Sequence, residues 1–318
     1  MRVFTRKRVV TAAFVAAFVA VFAAIGAVSR SSPTAVETTA AESTVPSAPW
    51  YWTMVVSPSD PDVLVLATSD GLYRSSDGGK TWKPTGPKRV NATSVVQAGS
   101  SIFAGGVRIA GANPGAVIRK GTGRAAPDGP AVLLASSDGG KTWRELHPRG
   151  LPNVAVQALA VDPAKSTALY VLLNTGGLYR STDGARRFKL VSSKLGIAPW
   201  ALAITQDGRF VGGDMDSGYH VSTNGKAWKQ AAYTDSRGDR HVMEFAVQPT
   251  DSTRVLMTSR GVEMSTDGGK TWHVVLKSDV MFGPVAWAPS KSDVAYAVGF
   301  DRSLWRSDDG GKSWTKVS

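Results

Sequence analysis

The sequence predicts an all-β fold: a six-bladed β-propeller of four-stranded blades, preceded by an N-terminal transmembrane or signal helix. Three observations carry this expectation. An octapeptide of the form S-x-D-G-G-K-T-W recurs along the chain. Its copies stand about one blade apart. Each interval between copies divides into short apolar, alternating runs separated by Gly, Pro and Asp, the pattern of strands and turns.

The chain begins with Arg2, Arg6, Lys7 and Arg8, followed by Val9–Val28, 20 residues without a charge. A helix of that length rises ~30 Å, enough to cross a hydrocarbon core. The basic flank favours an orientation with the rest of the chain outside the cytoplasm. Residues 1–28 therefore read as an uncleaved anchor or as a signal peptide, with Ala24, Gly26 and Ala27 available to a peptidase. Residues 29–49 are rich in Ser, Thr, Ala and Pro without apolar periodicity and read as a flexible linker. The domain is expected over residues 50–318, as a monomer.

The repeats start at Ser75, Ser136, Ser181, Ser222, Ser265 and Ser307, at intervals of 61, 45, 41, 43 and 42 residues. Intervals in the low forties match one four-stranded propeller blade. Inner strands are expected at TMVVSP, VQALAVDP, MEFAVQP and GPVAWAP, and third strands at GLYRS, GVEMS and SLWRS. The fourth strand is expected to begin at the Trp that ends each octapeptide. The long interval marks an insertion in blade two, about residues 107–130, carrying Arg108, Arg119, Lys120 and Arg124 against Asp128. It reads either as a tolerated surface insertion or as a basic lid.

The octapeptide has a structural task. Asp-Gly turns form readily because Gly takes positive φ without penalty. The Asp carboxylate and Ser hydroxyl can close the loop on turn amides, and the Trp supplies a large wedge. Asp77, Trp82, Asp138, Trp143, Asp183, Asp267, Trp272, Asp309 and Trp314 are accordingly structural, with Asn224 replacing the Asp in the fourth copy. These carboxylates are not catalytic acids.

The repeated octapeptide resembles the Asp-box, or bacterial neuraminidase repeat, over roughly residues 50–318. That superfamily includes sialidases, xyloglucanases, sortilin-type receptors and a photosystem assembly factor. The resemblance implies the propeller strongly and a function only broadly. A sialidase site would imply an Arg in a Phe-Arg-Ile-Pro motif before the first Asp-box. The nearest string, Val107-Arg108-Ile109-Ala110, follows that box and lacks the Phe and Pro. Xyloglucanases share the style of repeat seen at Gly71–Trp82 and Gly177–Gly184, on tandem propellers.

Composition narrows the chemistry. There is no Cys, which excludes disulfides, thiolate metal sites and a Cys nucleophile, and only four His. No metal and no cofactor are expected. The formal charge is +12, yet Arg2, Arg6, Lys7, Arg8 and Arg30 lie outside the domain, and the remaining 32 basic residues face 25 acidic ones without a long basic run. A nucleic-acid partner is not expected.

The functional face should be the one opposite the Asp-boxes, formed by the loops between second and third strands and between blades. Glu244, Asp214 and Asp216 are the carboxylate candidates for catalysis. Glu244 stands out because it interrupts an apolar strand (VMEFAV). Arg237, Asp239, His241, Arg260, Asp301, Arg302, Arg108 and Trp200 are candidates for ligand binding. Trp50, Tyr51 and Trp52 precede the first inner strand and can reach the same rim. Asn91-Ala92-Thr93 is a glycosylation sequon, a weak pattern by itself. Two functions fit: a module binding a protein or glycan partner, or a glycoside hydrolase using two carboxylates.

Overall fold

Turn residues interrupt the apolar runs so often that the strands are two to nine residues long, and four successive strands make each antiparallel sheet. A computed structural model describes residues 44–318 apart from 110–128, 166, 196, 198, 215–217, 232 and 234–240. Among the described residues there are six four-stranded sheets, each built from consecutive strands. Blade one holds β1 (Tyr51–Val56), β2 (Leu64–Thr68), β3 (Gly71–Ser75) and β4 (Lys83–Thr85). Blade two holds β5 (Val90–Ala98), β6 (Ser101–Arg108), β7 (Ala131–Ser136) and β8 (Arg144–Glu145). Blade three holds β9 (Val156–Val161), β10 (Leu169–Leu173), β11 (Leu178–Ser181) and β12 (Lys189–Ser192). Blade four holds β13 (Ala201–Ile204), β14 (Phe210–Gly213), β15 (Tyr219–Ser222) and β16 (Lys229–Gln230). Blade five holds β17 (Glu244–Gln248), β18 (Asp251–Ser259), β19 (Gly261–Ser265) and β20 (His273–Lys277). Blade six holds β21 (Phe282–Trp287), β22 (Ala295–Gly299), β23 (Leu304–Ser307) and β24 (Thr315–Lys316).

The inner strands β1, β5, β9, β13, β17 and β21 pack in that order around a ring, and β21 packs back on β1. The core is accordingly divided into wedges between blades. Leu64, Leu66, Tyr296, Val298 and Leu304 fill the closing seam between blades six and one. Val65, Leu72, Ile102 and Leu134 fill the seam between one and two. Burying such side chains is worth ~1.5–3 kcal/mol each.

Residues counted with the linker in the sequence take part in closure. Val45 is fully buried in the six–one seam. The Thr44 hydroxyl donates to Gly79 O at 2.8 Å, and Tyr51 OH donates to Pro46 O at 2.6 Å. Blade six still supplies its own four strands, so closure uses side chains rather than a strand exchanged from the N-terminus.

Each Asp-box closes on itself. Ser136 Oγ donates to Asp138 Oδ1 (2.8 Å) and accepts from Gly140 N (2.9 Å). Asp138 also accepts from the Thr142 amide and hydroxyl. The Thr142 bonds hold the Asp138 carboxyl well below the ordinary carboxylate range, and the corresponding Thr271 bonds do the same for Asp267. The Ser313 hydroxyl and amide bring Asp309 to about 2.

The fourth strands begin one residue after the Trp, not at it. The indole is folded back into its own turn: Trp82 Nε1 donates to Gly79 O (3.0 Å) and Trp314 Nε1 to Gly311 O (3.2 Å). Among the described residues no helix is long and apolar enough to cross a membrane, and the 9–28 run lies outside them.

Candidate functional site at the channel mouth

The inner strands surround a cavity of about 380 Å³ that runs down the ring axis and touches all six blades. On the Asp-box side it is edged by the first turns of the blades, at Pro58, Pro163, Pro249 and Pro289. At the other end it meets the residues that lead into the inner strands, where the chain crosses from one blade to the next.

An aromatic group covers that second mouth. Trp50 and Trp52 stack with centroids 5.7 Å apart and planes 12° apart. Trp200, leading into blade four, lies 6.5 Å from Trp50 and 5.9 Å from Trp52. Phe300, from the β22–β23 turn, sets its edge on Trp50 at 5.5 Å. Blades one and four face each other across a six-membered ring, so these indoles bridge the axis.

Each is held by its own chain. The Trp50 amide donates to Ser69 Oγ at 3.3 Å and its carbonyl accepts from Ser69 N at 3.1 Å. Trp52 Nε1 donates to Asn91 Oδ1 at 2.9 Å. Asn91, the sequon residue, is only 3% exposed, so its side chain serves Trp52 and is inaccessible to a sugar. The Trp200 amide donates to Gly213 O at 2.7 Å. Trp52 is buried, while Trp50 and Trp200 are half-buried.

Glu244 opens β17 and, like Trp200, lines the cavity. It is the one carboxylate among the described residues that does so. It is 7% exposed, and its Oε1 accepts from Phe245 N at 3.0 Å. Burial pushes its carboxyl up to about 8, which the Phe245 amide only partly offsets. Burial thus favours the protonated form of the Glu244 carboxyl.

The other candidates are distributed less centrally. Asp214 follows β14 and is nearly buried. Its amide donates to Gly218 O, its carbonyl accepts from Val242 N (both 2.9 Å), and its Oδ2 lies 4.0 Å from His220 Nδ1. The Val242 bond ties Asp214 to the approach into β17, close in chain to Glu244. His241 and Arg260 are half-buried, on the approach to β17 and in the β18–β19 turn. Asp301 closes its own turn, accepting from Ser303 N and Oγ at 3.1 and 2.6 Å. Arg302 Nε donates to Val45 O at 3.0 Å, fastening the N-terminal segment. Arg108 pairs with Glu145 at 2.6 Å within blade two. Asp216, Arg237 and Asp239 lie outside the described residues, as do Arg119, Lys120, Arg124 and Asp128 of the insertion. Among the described residues no group of three or more His, Asp and Glu is placed to hold a metal ion.

Sequence reasoning placed Trp200 at the rim and let Trp50 and Trp52 reach the same rim, but it did not read their packing against one another, and it overlooked Phe300. The available signal was positional: three Trp stand immediately before or at the start of inner strands.

The ring and its repeated turns define a BNR/Asp-box propeller, and the repeat model itself matches residues 73–84. The chain belongs to the family of the photosynthesis system II assembly factor YCF48, whose model matches residues 122–318, more than half of the chain. A curated xyloglucanase of Hypocrea jecorina (strain QM6a) is 28% identical over 209 residues, 59% of this chain and 23% of that protein. The chain thus spans about a quarter of that relative's length. Among solved structures, YCF48 bound to D1 peptide is 19% identical over 86% of this chain and 81% of that one, with a TM-score of 0.50. The GH74 xyloglucanase from Xanthomonas campestris is 18% identical over 87% of this chain and 46% of that one, with a TM-score of 0.52. At these identities the structural likeness speaks to the fold.

Proposed function

We propose that this protein is a binding and assembly propeller that holds a segment of a partner protein against the aromatic mouth of its channel. The observation that carries this reading is the half-buried Trp50–Trp200 pair bridging the ring axis at the mouth of the cavity that Trp200 and Glu244 both line. Indole edges together with a buried carboxyl suit a peptide, with apolar side chains on the rings and a carbonyl for the carboxyl to meet. Trp50 and Trp52 turn their faces to each other, which leaves less free ring face for a sugar to stack upon. Membership in the YCF48 family supports the same reading, as does a solved YCF48 that holds D1 peptide. On this proposal the Val9–Val28 run keeps the propeller at a membrane, outside the cytoplasm.

The test is quantitative co-isolation from membranes with the full chain, comparing wild type with Trp50→Ala/Trp200→Ala. A defined protein set retained by wild type and depleted at least tenfold by the double variant is expected. Equal recovery by both would overturn the proposal.

The xyloglucanase match supports a second reading, hydrolysis of a glycosidic bond with Glu244 as acid and Asp214 as its partner. Release of reducing sugar from xyloglucan oligosaccharides, abolished by Glu244→Gln and Asp214→Asn, would favour it.

A further inference from the structure

Blades one and six carry the same third-strand sequence motif, with Arg74 and Arg306 at the same place, but their surroundings differ in charge. Arg306 sits across from Tyr296 in the β22–β23 register and reaches over the six–one seam. Its Nη1 donates to Asp62 Oδ1 at 2.6 Å, and its Nη2 to Asp308 Oδ1 at 2.9 Å. Those carboxylates neutralise it within the fold.

Arg74 reaches over the one–two seam in the same way, and its Nε donates to Gly139 O at 2.8 Å. Here both carboxylates are missing from the sequence. Ser76 occupies the Asp-box position that Asp308 holds in blade six, and the β5–β6 turn, Gly99-Ser100, supplies no counterpart of Asp62. Two cations are present as well. Lys83 pairs with Arg74 across β3–β4, where blade six has Thr315, and Lys141 comes from the second Asp-box.

These residues line one concave pocket of about 220 Å³, with Ser76, Thr81 and Thr85 completing its wall. No carboxylate lines it. Asp77 and Asp138 are nearby but committed to their own turns, to Thr81 and Thr142 respectively. Among the described residues, the Arg74 terminal nitrogens, the Lys83 and Lys141 ammoniums and the Ser76 hydroxyl have no hydrogen-bond or ion-pair partner.

We propose that the seam between blades one and two, on the Asp-box face, is a binding site for a phosphate group, which takes the place that Asp308 and Asp62 fill beside Arg306. A guanidinium fork anchored at Nε presents its remaining donors to two oxygens of one anion. Three cations around one pocket match the charge of a phosphate monoester, about −1.5 to −2. The volume is well above the ~30 Å³ share of a single water. The site is separate from the channel mouth and lies on the opposite face of the ring, so it stands or falls independently of the partner-binding proposal.

The test is calorimetric titration of the full chain in detergent with inorganic phosphate, at constant ionic strength set by chloride. A parallel arm measures flotation with vesicles containing phosphatidic acid, whose headgroup is a phosphate monoester. Saturable binding in either arm is expected, and the arm that responds identifies the source of the phosphate. Arg74→Gln and Lys141→Gln should each weaken binding at least tenfold. Ser76→Asp should abolish it without lowering the melting temperature, because it builds in the carboxylate that blade six already carries. If Ser76→Asp fails to fold, the exposed Lys141→Gln still decides. No binding in either arm at tens of millimolar phosphate, or binding unchanged in Arg74→Gln and Lys141→Gln, overturns the proposal.

Discussion

Replacing Glu244 by Gln should change how the stability of the ring depends on pH. Gln keeps the oxygen that accepts from Phe245 N (3.0 Å in the structure) and nearly the same shape, but it cannot ionise. In the folded chain burial raises the carboxyl from 4.5 to about 8. Between those values the unfolded chain has released the proton while the folded chain retains it, so wild-type stability falls as pH rises from about 4.5 toward 8. At ~1.36 kcal/mol per pH unit, the loss reaches roughly 3 kcal/mol by pH 7 and about 5 kcal/mol above pH 8. For a domain of this size ~1 kcal/mol moves the melting temperature by about 2–4 °C. Thermal melts at pH 4.5 and 7 should therefore show the gap between Glu244→Gln and wild type widening by roughly 6–12 °C in favour of the variant. Parallel curves for the two proteins across that range would refute the placement of Glu244 as a buried, neutral carboxyl.

Other expectations concern the turns and the seams. Ser136→Ala leaves the buried Gly140 amide without its acceptor and should cost ~1–3 kcal/mol, read by urea denaturation. Gly79→Ala should destabilise far more than Gly139→Ala: both glycines have positive φ (+88° and +71°), but an added Cβ at Gly79 meets Leu304 Cδ2 in the closing seam, while Gly139 faces open space. Similar losses for the two would argue against tight packing of blades six and one. The Asp-box carboxyls act in the opposite sense to Glu244. Their lowered values contribute stability above the ordinary carboxylate range that is lost as pH falls toward about 2, the value for Asp309. Circular dichroism should show unfolding setting in below about pH 4, and a signal unchanged down to pH 2 would contradict it. Val45→Ala should lower the melting temperature, since the side chain is fully buried between blades six and one, with a cost of ~1–3 kcal/mol.

The ring was legible because its information is local and repeated. Ser-x-Asp-Gly turns at intervals near one blade's length leave little freedom in strand count, and the observed strands follow the expected runs. The shift in the start of each fourth strand, to one residue after the aromatic residue, recurs in all six described blades, including blade three, where Phe188 stands in the Trp position. Glu244 was visible as a charge inside an apolar strand. The stacking of the rim indoles was not, because Trp52 and Trp200 are far apart in sequence and meet only after the ring closes. The local partners of the polar residues were hidden for a related reason. Sequence alone does not reveal whether a loop carboxylate faces a ligand or closes a turn, as Asp301 does with Ser303. Nor does it reveal that Arg302 fastens Val45 and that Arg108 is taken by Glu145.

The central claim, a partner protein held at the aromatic mouth, is tested most directly by site-specific photo-crosslinking in membranes. A photo-reactive amino acid placed at Trp200 or Trp50 should yield a discrete protein adduct, while the same group at Lys229, on the outer edge of blade four, should not. Adducts from Lys229 alone, or none from either rim position, would contradict the account.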